Sequence, residues 1–163
     1  MKKFFIGRNT KANRRAAKEL NFTSKNIAFL LEEPIDIAKI EKLFQDNFGS
    51  EYNLHFAVFS QQKLQENSPT YRFGKNAFSL FGAIKKEELQ LLTQEKFLYV
   101  FNIFNPDNYY LNCLHSMLIC KFSIGLYAEE HNINDLSIKT SVEALDVFFK
   151  EAKNYLSIIN KSS

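Results

Sequence analysis

Tryptophan is absent from the 163 residues, and glycine, proline and cysteine are scarce, at five, three and two. So little glycine and proline excludes a collagen-like or low-complexity chain. Two cysteines cannot make a disulfide framework. Cys113 and Cys120 lie in an apolar, helix-like segment, so two small buried thiols on one helix face are expected. Long hydrophobic runs are missing as well, and no stretch approaches the roughly 18 apolar residues that span a bilayer. Met1-Lys2-Lys3-Phe4-Phe5-Ile6 opens like a secretory signal, but Gly7-Arg8 ends the run too early. The cytoplasm is the expected compartment.

What is present suits one soluble domain. Hydrophobic residues make up 45% of the chain, with 17 Phe and 7 Tyr, enough for an ordinary core filled largely by Phe rings. The charge is uneven. Residues 1–25 hold eight basic side chains and one acid, a net of +7, whereas the remainder holds 13 and 17, a net of −4. The expected organisation is a basic, partly helical arm over 1–25 and one domain over 26–163.

Apolar periodicity alternates between two types. Ile27 to Leu31, Leu54 to Phe59, Phe97 to Phe104, Phe122 to Tyr127 and Leu136 to Ile138 read as strands. Ile37, Ile40, Phe44 and Phe48 fall on one helical stripe, with Asp36 to cap it and Gly49 to end it. Shorter helices are expected over 85–94 and from about Tyr109 to Ile119, the second capped within Asn105–Asn108. Thr140-Ser141-Val142-Glu143 matches a capping box before a final helix. Residues 60–76 read as irregular, and the pairs Phe73-Gly74 and Phe81-Gly82 as packing and turn devices. Alternating strands and helices predict a three-layer α/β/α domain, Rossmann-like or flavodoxin-like, with a mostly parallel sheet of about five strands.

In an open α/β sheet, ligands bind beyond the carboxyl ends of the strands. That edge should carry Glu32, Glu33, Asp107, Glu129, Glu130 and His131. It is acidic and lacks a glycine-rich turn, which disfavours a phosphate cradle. The three histidines show no metal-ligand spacing, so no metal site and no cofactor are implied. His131, beside two glutamates, is the best acid/base candidate, and the bland reading of the edge is a solvated rim. In the arm, Lys11, Arg14, Arg15 and Lys18 would gather on one side of a helix and suit phosphate contacts without sequence readout. The bland alternative is a solubilising tail.

Five short motifs follow one another in the second half. They are Phe81-Gly82-Ala83-Ile84, the strand Phe97 to Asn102, Ser116 through Cys120-Lys121-Phe122-Ser123-Ile124-Gly125, Asn134-Asp135-Leu136-Ser137-Ile138, and Lys153-Asn154-Tyr155-Leu156-Ser157-Ile158-Ile159-Asn160. In this order they resemble an uncharacterised conserved family of Bacteroidota-type bacteria, a domain of unknown function that also opens with a basic segment. The resemblance implies a bacterial, cytoplasmic α/β domain and supplies no catalytic residue. The leading functional expectation is a non-catalytic binding or adaptor module, touching RNA or a ribonucleoprotein through the arm. The alternatives are a small enzyme or ligand-binding domain at the acidic edge, and a protein–protein or homodimer module.

Overall fold

The computed structural model describes residues 23–60, 70–129 and 133–161. The arm residues Lys11, Arg14, Arg15 and Lys18, and the edge residues Glu130 and His131, lie outside the described residues. Six strands form one all-parallel sheet: β1 (Asn26–Glu32), β2 (Asn53–Phe59), β3 (Thr70–Phe73), β4 (Lys96–Ile103), β5 (Ile119–Leu126) and β6 (Leu136–Ile138). Their order is β3-β2-β1-β4-β5-β6. The helices are α1 (Ile37–Phe48), α2 (Glu87–Leu92), α3 (Tyr109–Met117) and α4 (Leu145–Lys161). Among the described residues, no helix is long and apolar enough to cross a membrane.

The sixth strand is β3, inside the stretch expected to be irregular. It has four residues, follows Pro69, and fully buries only Phe73. So short an edge strand leaves almost no alternation to read, and its brevity limits edge-to-edge pairing. A second difference concerns the cysteines. The helix expected to reach Ile119 stops at Met117, and Leu118 is already extended. Cys113 therefore belongs to α3 and Cys120 to β5, so they share no helix face. Both are buried, on the same side of the sheet. No glycine or proline marks that helix-to-strand junction; the ladder with β4 pulls the chain straight.

Caps fix most of the other boundaries. Asp36 Oδ1 accepts the Lys39 N–H at 3.1 Å, and Asn108 Oδ1 accepts the Leu111 N–H at 3.1 Å. Gly49 ends α1 at φ +94°, where its N–H reaches Gln45 O. At the expected capping box before α4, the chain takes a 3₁₀ turn over Val142–Ala144 instead, and Ser141 makes no side-chain cap bond.

Each sheet face carries its own core. Ile27, Phe29 and Leu31 of β1 point to the side covered by α1 and α4, where Ile40, Phe44, Phe149 and Leu156 are buried. Ala28 and Leu30 point to the other side, against Leu89 and Leu92 of α2 and Leu111 and Leu114 of α3. β1 and β4 are thus apolar on both faces, as central parallel strands must be. Phe29 stands at the centre of the first face. Its ring lies 5.0 Å from Phe56 and 5.3 Å from Phe101, both stacked, and meets the edge of Phe44 at 5.4 Å.

Two stability predictions follow from these positions. Phe29→Ala removes a fully buried ring from between two sheet neighbours and a helix, and should cost about 3–5 kcal/mol in urea unfolding. His55 on β2 packs its ring against the face or edge of Phe97, with centroids 5.5 Å apart. Burial lowers its pKa below the usual 6.5, against a smaller opposing pull from Glu95. The native state thus resists a proton that the unfolded chain accepts. The stability from neutral His55 is complete above its unfolded pKa and is lost as pH falls below it. Urea midpoints measured from pH 7.5 down to 5 should fall, and His55→Gln should flatten that slope.

Candidate functional site

The chain reverses its direction of travel along the sheet between β1 and β4, so their carboxyl ends border the crevice where open α/β sheets hold ligands. Here the expected acidic edge turns inward on itself. Glu32 ends β1, and its Oε2 accepts the backbone N–H of Asn105 at 3.1 Å, tying β1 to the turn after β4. Glu33 pairs with Arg72 of β3, and its second oxygen accepts the Ile35 N–H at 3.3 Å. Asp107 and Glu129 are exposed, on the turns after β4 and β5 respectively. No group of three His, Cys, Asp or Glu side chains stands close enough to hold a metal ion among the described residues. The structure thus gives Glu32 and Glu33 bridging roles and does not gather the four described acids at one point.

A different cluster lies one layer deeper, which the sequence reading did not assemble. Asn102 points off β4, one residue before the strand ends, and is 3% exposed. Its Nδ2 donates to Asn134 Oδ1 at 2.6 Å and lies 3.3 Å from His115 Nδ1 on α3. Asn102 Oδ1 is buried and has no hydrogen-bond partner among the described residues. An amide buried with half its capacity unmet costs stability, and such positions call for a water or a ligand. Asn102, Asn112 and Asn134 line a small recess with room for about one water, alongside apolar Phe104, Leu126 and Ile133. Asn112 is itself fixed by donating to Pro106 O at 2.7 Å. The polar groups here are uncharged carboxamides, each both donor and acceptor, which suit a neutral polar group rather than a phosphate.

The local sequence explains how Asn134 arrives there. Gly125 sits opposite Asn102 in the β4–β5 ladder. A Cβ at Gly125 would fall 2.2 Å from Asn134 Nδ2, so only glycine lets that carboxamide lie on the strand. The next residue, Asp135, accepts the Ser123 N–H at 2.9 Å, while its own N–H reaches Ser123 Oγ at 3.0 Å. The pair Asn134-Asp135 thus clips the β5–β6 connection to β5 at two points. The motifs containing Gly125 and Asn134-Asp135 were visible in the sequence, but their contact spans strands and was not.

Cys113 lies on the side of the sheet covered by α2 and α3. Cys113 Sγ donates to Gly82 O at 3.7 Å, and burial pushes its thiol pKa up, against a smaller downward pull from a Tyr109 hydrogen bond. A buried, protonated thiol is a poor nucleophile. Gly82, at φ +82°, has Cys113 Sγ and Tyr109 Oη within 3.5 Å of where a Cβ would stand, so the turn there rests on α3. Phe81, expected as a packing residue, instead projects into solvent at 97% exposure. The neighbouring glycine serves the turn, and the ring packs on none of the described residues.

The Gly125–Asn134 contact can be tested by a double-mutant cycle. Gly125→Ala should cost roughly 2–4 kcal/mol, combining overpacking with loss of a buried amide bond. Adding Asn134→Ala removes the clash, so the two losses should add to clearly more than the double variant shows in urea unfolding.

No curated protein and no solved structure matches the chain. A family model described as a family of unknown function (DUF6913) matches residues 2–159, from the basic N-terminal segment into the last turn of α4. The chain belongs to that family.

Proposed function

We propose that the protein is a non-catalytic binding or adaptor module whose basic N-terminal arm contacts an anionic partner, RNA or a ribonucleoprotein. The observation that carries this reading is the segregation of charge, +7 over residues 1–25 against −4 over the rest. The family match begins at residue 2, so the arm falls within the family's length rather than outside it. The internal use of Glu32 and Glu33 supports the same reading, because it leaves the strand-end edge with fewer acids for chemistry. The domain is read as a Rossmann-like three-layer scaffold, since its strand order is that of the doubly wound nucleotide-binding sheets, here without a glycine-rich phosphate turn.

One observation favours a second reading. The unmet Asn102 Oδ1 beside a recess the size of one water suits a single hydrogen-bond-donating group of a neutral ligand reaching in from outside. Such a ligand would raise the melting temperature of the native chain and leave Asn102→Ala unmoved.

The leading reading is tested by density-gradient sedimentation of cell lysate at low and high salt. The chain should migrate with RNA-containing fractions at low salt, and loss of residues 1–25 or replacement of Arg14 and Arg15 should release it. If four side chains each neutralise one phosphate, affinity should fall roughly a hundredfold between 50 and 200 mM salt. Co-migration that survives removal of the arm would overturn the proposal.

A further inference from the structure

Residues 77–85 form a narrow hairpin whose tip projects from the core. Phe78 bridges Ile84 in antiparallel fashion, and Lys85 N–H donates to Ala77 O at 2.7 Å at its base. Ser79 organises the tip. Its N–H reaches Ala83 O at 2.8 Å, its carbonyl accepts the Gly82 N–H at 3.0 Å, and its Oγ accepts the N–H groups of Phe81 and Ala83. Phe78 anchors one side in the core, and Gly82 rests on Cys113 and Tyr109. The tip is therefore built, and the two residues it presents are Leu80 and Phe81, at 99% and 97% exposure. Among the described residues, nothing packs on these side chains.

Holding two large apolar side chains in water is unfavourable unless something else covers them. We infer that this hairpin is a membrane-docking wedge, inserting Leu80 and Phe81 into the interface of an anionic lipid bilayer. Two observations favour lipid over a protein partner. A Phe side chain buries about 150–250 Å² and a Leu no more, so the two together reach at most about 500 Å², short of the roughly 800 Å² per partner of a stable protein interface. The only charged side chains from Gly74 to Lys86 are basic: Lys75 and Lys85 are exposed and Lys86 is half-buried. The nearest acids, Glu87 and Glu88, begin α2 beyond them. An apolar tip above basic side chains matches the depth profile of an anionic leaflet. Reversible membrane attachment generally needs two signals, and the apolar tip and the lysines at its base supply both.

This inference concerns a surface separate from the arm's contact with RNA, and its test separates the two. The chain has no tryptophan, so Phe81→Trp places a single reporter at the tip. With full-length protein and vesicles of phosphatidylcholine and phosphatidylglycerol, its emission should shift to the blue, and acyl-chain bromines should quench it. Sedimentation with the same vesicles should weaken about tenfold or more in the double variant Leu80→Ser, Phe81→Ser, whose melting temperature should stay near the parent's because neither side chain packs. That variant should still migrate with RNA-containing fractions if the arm reading holds. Unchanged emission with anionic vesicles would overturn the wedge. So would vesicle binding that the double variant retains, or a doubled solution mass that the double variant abolishes, which would assign the tip to a second copy of the chain.

Discussion

An all-parallel sheet cannot be closed by hairpins, so each connection must cross a face and each central strand must be apolar on both sides. That constraint governs this molecule. β1 and β4 lie at the middle of the six-strand order, and their side chains feed two separate cores. Phe29 and Phe101 stack across the β1–β4 pair on one face, where Phe44 of α1 and Phe149 of α4 close over them. With no tryptophan, the large rings in both cores are Phe and Tyr, and most need no polar partner.

Because the interior is so apolar, polar side chains that act structurally collect where strands end. Glu32 reaches across to the turn after β4, Glu33 to Arg72 on the edge strand, and Asp135 to Ser123. Each satisfies backbone or charged groups that would otherwise be stranded at a sheet end. Asn102 is the exception. It lies inside the strand, with one half of its amide engaged by Asn134 and facing His115, and the other half unmet. A buried group that the fold does not satisfy is a stronger pointer to a ligand than a solvated acid, because burial makes the missing partner costly.

The surfaces left for partners are of two kinds. One, on the proposed reading, is the net charge of +7 over residues 1–25, which would draw an anionic partner at long range. The other is the hairpin tip, where hydrogen bonds around Ser79 fix two apolar side chains outward. They differ in how they would respond to conditions. Contacts made by the arm weaken with salt, whereas burial of Leu80 and Phe81 does not depend on screening.

The sequence by itself determined the alternation of strands and helices, because periods of 2 and 3.6 are local properties of the chain. It also located the cap at Asp36, the capping turn Asn105–Asn108 and the helix end at Gly49, since these bonds join neighbours in the chain. It failed at β3, a four-residue edge strand with too few side chains to show a period, and at the Met117–Ile119 junction, where no breaker residue stands. The acids after each strand were legible as a rim, but their separate partners were not. Only the tertiary structure decided that Gly125 yields its Cβ space to Asn134, that Asn102 is left half-satisfied, and that Phe81 faces water while Phe78 faces the core. Each of these depends on residues brought together from distant strands or on the direction a side chain takes from a turn. Such distances are set by the packing of the sheet, which no local pattern encodes.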